Sequence, residues 1–426
     1  MKFKIVTLGC KVNTYESEMM REKLIASNYE ETLDNNADIV IINTCSVTNM
    51  ADAKSRKLIN YNKRENPNAI MVVCGCSAQN KKEELSNLDI DILIGNNGKS
   101  DIVDLIEDYK NTNEKYINFI NSRKLEFENM EVDRFTNQTR AYIKIQDGCN
   151  NFCAYCIIPF MRGNIRSKDM SLVIKEANTL VDNGHQEIVL TGIDTGSYGK
   201  DKDYDLTDLL NELVKIDKLK RIRLSSIDIY DLDDKFIKCL KDNEKLCDHL
   251  HISLQSGSDK ILTLMNRKYT SKEYLDTINK IRKVRPNISI TTDVIVGFPG
   301  ETEEDFNDCI DFCKKVKFSK IHTFPYSKRT GTRASTMPNQ LDMGTKRERA
   351  RKLIEISNEL EKEYYTKFLN KELEVLIEEN EGNKSIGHTS NYIKVEIDEI
   401  LEKNTMVNVK IIKVLDDKVL GEISTK

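Results

Sequence analysis

The sequence predicts an α/β protein in three parts: an N-terminal parallel-sheet domain, a central partial (β/α) barrel and a small C-terminal β-barrel. Two series of short apolar runs, each run separated from the next by helical stretches, predict the first two parts. The last part contains only short alternating runs, which is typical of an all-β domain. A chain of 426 residues has room for about three domains. Its 39% hydrophobic and 31% charged residues indicate a folded globular protein rather than a disordered one.

The first series covers residues 1–110. Its predicted strands are Phe3–Leu8, Asp38–Ile42, Ile70–Val73 and Ile90–Gly95. Segments of helical composition follow the first three strands, and this βαβ pattern predicts a parallel sheet covered by helices. Residues 111–138 are polar and charged with scattered apolar positions, so we interpret them as a linker with some structure of its own.

The second series covers residues 139–365. Its predicted strands are Ala141–Ile145, Glu187–Thr191, Arg221–Ser225, Leu250–Leu254, Ser289–Val296 and Lys320–Phe324. Helices are predicted between them, for example at Ser171–Asn183 and Ser271–Val284, and a long charged helix follows at Lys346–Phe368. Roughly six β/α units fit an incomplete barrel, because a full eight-fold barrel usually needs about 250 residues.

The last part, residues 366–426, contains four short runs. They are Leu373–Glu378, Tyr392–Ile397, Met406–Val414 and Val419–Ile423. Their length and spacing predict a small all-β barrel or sandwich.

Three cysteines in one short stretch, Cys149, Cys153 and Cys156, are the most informative chemical feature. Three thiolates can bind three irons of a 4Fe–4S cluster and leave the fourth iron open for a small molecule. Zinc is the competing metal, but a structural zinc site needs four ligands, and the nearest histidine is His185.

A second triplet, Cys10, Cys45 and Cys76, follows three successive strands of the first series. Ligands of open α/β sheets bind outside the carboxyl ends of the strands, so these thiols are expected to converge. The alternative is three buried cysteines that act as small hydrophobic residues. Cys74 would share a face with Cys76 on a continuing strand. We prefer Cys76 as the ligand because Gly75 frees the backbone just before it.

The other cysteines receive a structural interpretation. Cys309 and Cys313 lie four residues apart on the predicted helix Glu303–Val316, where they join an apolar stripe. Cys239 and Cys247 show no ligand pattern.

The net charge and the absence of targeting signals indicate where the protein is expected to act and what it is expected to bind. The net charge of −4 disfavours a strongly basic nucleic-acid-binding surface, although it permits a local basic face. The sequence shows no signal peptide and no apolar run near the ~20 residues that cross a membrane. We therefore expect a cytoplasmic protein with no membrane association, and a monomer. Thiols stay reduced in that compartment. We therefore expect the eleven cysteines to serve in metal binding or catalysis rather than in disulfide bonds.

Cys149–Cys156 resembles the CxxxCxxC motif of the radical S-adenosylmethionine (SAM) enzymes, and the whole chain resembles one branch of them, the methylthiotransferases. That branch joins an N-terminal domain with three cysteines, a radical-SAM partial barrel and a C-terminal TRAM domain. The segment Thr7–Glu18 looks most like the enzymes that modify N6-threonylcarbamoyladenosine beside the tRNA anticodon, and Lys11-Val12 is the discriminating pair. Further matching segments include Ser253–Gly257, Val296–Glu301, Arg329–Thr332 and Gly387–Tyr392.

The resemblance implies two 4Fe–4S clusters, an auxiliary one on Cys10, Cys45 and Cys76 and a radical-SAM one on the second triplet. It implies SAM as cofactor, cleaved to a 5′-deoxyadenosyl radical, and the replacement of the adenine C2 hydrogen by a methylthio group. The sulfur would come from the auxiliary cluster after methylation by another SAM. It also implies the tRNA anticodon stem-loop as partner and an external electron donor such as flavodoxin or ferredoxin.

The resemblance and the positions of residues after the barrel strands together suggest where SAM binds. The candidate SAM contacts are Tyr155, Gly192, Asp194, Ser226, Gln255, Arg267 and Gly297. For each of the polar ones, ordinary loop chemistry is the alternative, because the loops at the carboxyl ends of barrel strands carry much besides sites.

The clearest basic stretch, Lys328–Lys352, has eight basic and two acidic residues and fits a phosphate-facing edge. The candidate RNA contacts are Lys328, Arg329, Arg333, Arg347, Arg351 and, in the terminal domain, Tyr392. A solvated helix face is the alternative for the later half of the stretch.

Three alternative functions stay open. Two keep the same chemistry but act on isopentenyladenosine in tRNA or on a ribosomal protein side chain. The acidic terminal domain, with nine lysines against nine glutamates and three aspartates in residues 366–426, would suit the protein substrate. The third alternative is a non-catalytic iron–sulfur protein that binds RNA or transfers electrons.

Overall fold

The computed structural model describes residues 1–46, 49–119, 125–136 and 138–424. The N-terminal domain is a six-stranded parallel sheet in the order β2-β1-β3-β4-β5-β6. Its elements are β1 (Lys2–Thr7), α1 (Lys11–Ala26), β2 (Glu30–Glu31), β3 (Ile39–Thr44), α2 (Asn49–Glu65), β4 (Ile70–Gly75), α3 (Cys76–Asn80), α4 (Lys82–Ser86), β5 (Ile92–Ile94), α5 (Ile102–Thr112) and β6 (Tyr116–Asn118). Strands β3 and β4 are buried along almost their whole length, as expected of a sheet with helices on both faces.

The central domain is a partial barrel. Its elements are β7 (Ala141–Lys144), β8 (Gln146–Asp147), α6 (Ile158–Arg162), β9 (Arg166–Ser167), α7 (Met170–Asp182), β10 (Glu187–Thr191), α8 (Leu206–Leu213), β11 (Arg221–Leu224), α9 (Asp234–Asp242), β12 (His249–His251), α10 (Asp259–Leu264), α11 (Ser271–Val284), β13 (Ser289–Val296), α12 (Glu303–Val316), β14 (Lys320–Pro325) and α13 (Met343–Thr366). Parallel strands form two sheets, β11-β10-β7 and β12-β13-β14, which the bridges Ile222–Leu246 and Ile227–Ile252 connect. The six parallel strands confirm the predicted incomplete barrel.

The terminal domain is a closed barrel in the order β15-β16-β17-β19-β18. Its strands are β15 (Glu372–Glu381), β16 (Lys384–Thr389), β17 (Lys394–Ile397), β18 (Met406–Val414) and β19 (Val419–Ile423). The sequence did not predict β16, because its polar residues and Gly387 lower strand propensity. A Cβ at Gly387 would lie 2.1 Å from the Leu376 carbonyl oxygen, so the close approach of β15 requires glycine there.

The segment predicted as a linker contributes to both neighbouring parts. β6 is the edge strand of the first sheet, and Met130, Val132 and Phe135 are buried beside the central domain. The Tyr15 hydroxyl donates a hydrogen bond of 2.7 Å to the Met130 carbonyl, and the Val132 amide donates one of 2.8 Å to Glu176. Residues 120–124 and 137 of this segment lie outside the described residues.

The α/β fold class and its three-part order are confirmed. One apolar cluster runs from the N-terminal sheet through the central barrel to α13, while the terminal barrel has its own core. Within the described ranges, no helix combines the length and apolar character that crossing a membrane requires.

Candidate active site

The structure brings together the first three predicted ligands at the carboxyl end of the N-terminal sheet. Thr44 and Gly75 are paired across β3 and β4, so the cysteines that follow them, Cys45 and Cys76, emerge side by side. A Cβ on Gly9 would lie 2.8 Å from the Cys45 sulfur, which places the turn before Cys10 against that thiol. Cys10 is exposed, whereas Cys45 and Cys76 are buried. The three cysteines therefore lie at the same end of the N-terminal sheet.

The structure also separates Cys74 from Cys76. Cys74 is fully buried in the large apolar cluster, and burial raises the pKa of its thiol to about 12. Cys76 begins α3 and packs against Ile157 and Met161 from the central domain. Gly75 has φ +97°, and a Cβ there would lie 2.5 Å from the Thr44 carbonyl oxygen. This geometry favours Cys76, for the reason that the sequence suggested.

Two buried polar residues that the sequence analysis did not identify hold these loops. Asn13 donates through Nδ2 to the Leu8 carbonyl at 2.6 Å and to the Thr44 carbonyl at 2.9 Å. It therefore ties together the backbone before Cys10 and before Cys45. Arg162 donates to Asn13 Oδ1 at 3.2 Å and belongs to the central domain, so the contact spans the domain boundary. The sequence signal that points to Asn13 is its position in the Thr7–Glu18 segment, which carries the family resemblance.

Arg162 is part of a fully buried ionic network, which we call the interface network: Glu16, Lys99, Lys144, Asp147, Arg162 and Arg166. Glu16 lies 2.6 Å from the Lys99 ammonium, 2.9 Å from that of Lys144 and 3.2 Å from Arg162. Burial acts to raise the pKa of Glu16, but the three cations outweigh it and hold the pKa far below its ordinary value. The carboxylate is thus ionised at neutral pH and joins the two cysteine-bearing domains.

The second triplet lies in the loop after β8. The Cys156 amide donates to the Cys153 carbonyl at 3.0 Å, and the Asn151 amide points to the Cys149 sulfur at 3.5 Å. Burial, the Asp194 carboxylate and the neighbouring thiols raise the pKa of Cys149. Mutual repulsion of thiolates is what bound iron would relieve.

Two of the predicted SAM contacts lie directly beside these thiols. The Arg267 guanidinium donates to the Cys153 sulfur at 3.3 Å and pairs with Asp228. Asp194 accepts a hydrogen bond of 3.1 Å from Asn151, and its carboxylate lies 3.7 Å from the Cys149 sulfur. Burial and the neighbouring charge of Asp228 raise the pKa of Asp194. Charged side chains therefore lie beside two of the three thiols, Cys149 and Cys153.

The other predicted SAM contacts divide into two groups. Gly192 and Ser226 line an open cavity, and a Cβ on Gly192 would lie 2.8 Å from Gln146 Oε1. In contrast, Tyr155 packs its ring edge-on against Phe298.

Two predicted positions have special backbone conformations. Gln255 has φ +68° and bonds through its backbone to β13. Gly297 has φ +70°, and its amide donates to Glu301 at 2.8 Å. This left-handed conformation, which glycine adopts without steric cost, shapes the turn after β13.

Both donor sets consist of thiols, and thiolates are the ligands that iron–sulfur clusters take. In a 4Fe–4S cluster each thiolate binds a different iron, so three thiols leave one iron open. Ser225 adds an observation in favour of a bound group, because its buried hydroxyl has no hydrogen-bond partner within the described part of the chain and lines the same cavity as Ser226.

That cavity, of about 650 Å³, lies where all three domains meet, and we call it the junction cavity. The N-terminal domain contributes Gly9, Cys10 and Lys11 to its wall. The barrel and terminal domain contribute Thr191, Gly192, Arg223, Ser225, Ser226, His249, His251, Thr291, Lys320, His322, His388, Tyr392 and Lys394, among others. The cavity thus brings Cys10 of the first cysteine triplet together with two of the candidate SAM contacts, Gly192 and Ser226.

Tyr392, predicted to contact RNA, lies inside this junction. Its ring stacks on His249 and on His388, each at 4.8 Å between centroids. The Arg223 guanidinium lies 4.7 Å from the ring centroid. Burial acts to raise the pKa of Tyr392, but the positive charges of Arg140, Lys11 and Arg223 outweigh it and lower the pKa.

The predicted basic edge is only partly exposed. Lys328, Arg333, Arg347 and Arg351 are exposed. Arg329 is 4% exposed, pairs with Asp52 at 3.1 Å and donates to Ser46 at 2.9 Å. The expectation that Arg329 contacts RNA is therefore corrected: its charge is neutralised inside the protein, where it holds the loop after Cys45. The cysteines interpreted as core, Cys239, Cys247, Cys309 and Cys313, are all buried.

Comparison with known proteins agrees with this architecture. Residues 143–313 match the radical SAM superfamily, and residues 2–95 match a family described as "Uncharacterized protein family UPF0004". The threonylcarbamoyladenosine tRNA methylthiotransferase MtaB of Bacillus subtilis is 44% identical over 96% of this chain and 93% of its own length. The protein of that name from Aquifex aeolicus is 40% identical over 96% of this chain and 100% of its own length.

Two further comparisons concern a relative with a different named activity and a solved structure with a similar fold. The tRNA-2-methylthio-N(6)-dimethylallyladenosine synthase of Thermoanaerobacter sp. is 40% identical over 91% of this chain and 85% of its own length. The structure of the radical SAM methyltransferase TsrM from Kitasatospora setae, with cobalamin and a [4Fe-4S] cluster bound, has a TM-score of 0.57. It covers 78% of this chain and 76% of its own chain at 13% identity, so it shows the fold alone. The relatives at 40–44% identity over nearly the whole length show that this chain belongs to the radical-SAM methylthiotransferase family.

Proposed function

We propose that this protein methylthiolates C2 of N6-threonylcarbamoyladenosine in the anticodon stem-loop of tRNA. The observation that carries the proposal is the junction cavity, which joins the Cys10 side of one cysteine triplet to Gly192 and Ser226 on the SAM side of the barrel. A methylthio transfer needs a sulfur source and a radical source within reach of one base, and this cavity has a wall from each domain.

The residues present fit two iron–sulfur clusters and SAM. Cys10, Cys45 and Cys76 would hold the auxiliary cluster, and Cys149, Cys153 and Cys156 the radical-SAM cluster. When bound, these groups would supply one-electron activation of an aromatic C–H bond and the sulfur that replaces the hydrogen. Asp194 and Asp228, both hydrogen-bonded to Asn151, present carboxylates suited to the amino group of SAM. Arg267 donates to the Cys153 sulfur, where its positive charge would balance the negative charge of a bound cluster.

Each domain would have its own part in the reaction. Residues 1–110 would hold the auxiliary cluster, residues 139–365 the radical-SAM cluster, and residues 366–426 would form the terminal domain. The exposed side chains of Lys328, Arg333, Arg347 and Arg351 would contact phosphates, while Tyr392 would act at the cavity. An external electron donor such as flavodoxin or ferredoxin, and a monomeric protein, complete the proposal.

The experiment uses anaerobically reconstituted protein, SAM, a strong reductant and stem-loop RNA carrying threonylcarbamoyladenosine. Nucleosides from digested RNA are then measured by mass spectrometry. Appearance of the 2-methylthio product supports the proposal, and Cys10→Ala should abolish it. Conversion only of RNA carrying dimethylallyladenosine would instead favour the activity named in the Thermoanaerobacter relative.

A further inference from the structure

A cationic side chain at the junction cavity remains unaccounted for by the cluster chemistry. Lys11 directly follows Cys10 and lies on the cavity wall. In the part of the chain that the structure describes, no hydrogen bond or ion pair to its ammonium is found. Lys11 shares this wall with Arg223 and Tyr392, so it lies in the junction between the domains.

The two neighbouring guanidiniums already have carboxylate partners. Arg223 forms a two-point pair with Glu187, with distances of 2.6 and 3.3 Å, and also donates to the Thr389 carbonyl at 3.2 Å. Arg140 pairs with Glu378 at 3.2 Å. The surplus positive charge on this side of the cavity therefore belongs to Lys11.

A half-buried ammonium on a cavity wall favours some ligands over others according to their charge. An apolar ligand would dehydrate the ammonium and offer nothing in return, whereas a carboxylate would neutralise it and accept its hydrogen bonds. The two substrates named among the relatives differ in this respect: the threonylcarbamoyl group ends in a carboxylate, and the dimethylallyl group is wholly apolar.

The position of Lys11 also suits the base that would enter. In adenine, C2 and the carbon that carries N6 flank the same ring nitrogen. A base whose C2 faces the Cys10 side therefore turns the edge that carries the N6 substituent toward the same wall. Lys11 lies one residue from Cys10, so its ammonium is placed to meet a group that folds along this edge.

We propose that Lys11 binds the carboxylate of the threonylcarbamoyl group and thereby determines specificity for the anionic substrate over the apolar one. This inference rests on the proposed function, to which it adds the residue that binds the N6 substituent of the base. Lys394, a terminal-domain residue that lines the same cavity, is the matched control because it offers a similar ammonium from a different domain.

The test compares three stem-loop RNAs: one with threonylcarbamoyladenosine, one with its carboxylate blocked as the methyl amide, and one with dimethylallyladenosine. Binding is measured by fluorescence anisotropy and methylthiolation by mass spectrometry, for the reconstituted wild type and for Lys11→Met, Lys11→Arg and Lys394→Met. The wild type should prefer the free carboxylate over the amide by roughly 10- to 100-fold, the range of a charge-assisted hydrogen bond. Lys11→Met should bring this ratio close to one, while Lys11→Arg and Lys394→Met keep most of it.

The ratio is internal to each protein, so partial loss of a cluster in a Lys11 variant does not affect it in the binding measurement. A wild-type ratio in Lys11→Met, or loss of the ratio in Lys394→Met, would overturn the assignment to Lys11. Wild-type protein that modifies only the dimethylallyl RNA would instead overturn the proposed function, and this outcome is distinct from the other two.

Discussion

Replacing Glu16 by glutamine removes the central charge of the interface network and leaves its shape intact. Three cations lie within 3.2 Å of this carboxylate: Lys99, Lys144 and Arg162. At an effective dielectric constant of about 20, each contact contributes roughly 5–6 kcal/mol of Coulomb energy, much of which the dehydration of the ions cancels. Removal of one partner from such a buried network typically costs about 3–5 kcal/mol, because the remaining charges stay buried without compensation.

The assay is anaerobic thermal unfolding followed by circular dichroism, with Glu16→Gln compared with Glu212→Gln. Glu212 forms an exposed pair with Lys215 at 2.6 Å, so its loss should cost less than about 1 kcal/mol. We expect Glu16→Gln to lower Tm by at least about 6 °C, taking about 2 °C for each kcal/mol in a protein of this size. Equal Tm values for the two variants would refute the reasoning that the network stabilises the domain interface.

The same carboxylate predicts a pH dependence. Its pKa in the folded protein lies far below its ordinary value, because the surrounding cations outweigh burial. Such a group contributes stability above its unfolded pKa of about 4.3, and the contribution is lost as the pH falls further. We expect the wild type to lose stability steeply between about pH 5 and pH 3, and Glu16→Gln to lose it with a smaller slope. Parallel stability curves for the two proteins would contradict this.

Three further predictions concern the clusters and the RNA. Iron analysis should show about eight irons per chain in the wild type and in Cys74→Ser but about four in Cys76→Ser, and the reverse pattern would make Cys74 the ligand. Arg267→Gln should lower the formation of 5′-deoxyadenosine from SAM by roughly 10- to 100-fold, because a charge-assisted contact at the cluster is lost, and an unchanged rate would contradict the assignment. Arg347→Ala and Arg351→Ala should each weaken tRNA binding and reduce its log–log salt slope by about 0.7–0.9, whereas an unchanged slope would exclude phosphate contact.

The sequence was sufficient to predict features that depend on local spacing or on strand order. Cys149, Cys153 and Cys156 lie within eight residues, so one loop is able to bring them together. The first triplet was predictable for a different reason. The ends of neighbouring parallel strands meet at one edge, so Cys45 and Cys76 emerge beside each other although 31 residues separate them.

Features that depend on pairing between distant parts of the chain were not predictable. Arg329 stands in a basic stretch and reads as a surface charge, yet its carboxylate partner Asp52 is 277 residues away. Tyr392 reads as an exposed aromatic residue on a small barrel, but the docking of that barrel places its ring between His249 and His388. Neither contact leaves a periodic or compositional signal, because each partner is typical of its own local segment.

The interface network gives a physical reason why charges join the two cysteine-bearing domains in addition to the apolar packing between them. Stability alone does not require the charges, because well-packed hydrophobic replacements of buried ion pairs are often equally stable. Hydrogen bonds are directional. Glu16 contacts Arg162, Arg162 donates to Asn13, and Asn13 donates to the backbone before Cys10 and before Cys45. This series of contacts therefore fixes both loops relative to the central domain. A reaction that needs sulfur and radical sources at one base depends on this distance more than on total stability. We therefore expect Glu16→Gln to reduce methylthiolation even at a temperature where the variant is fully folded.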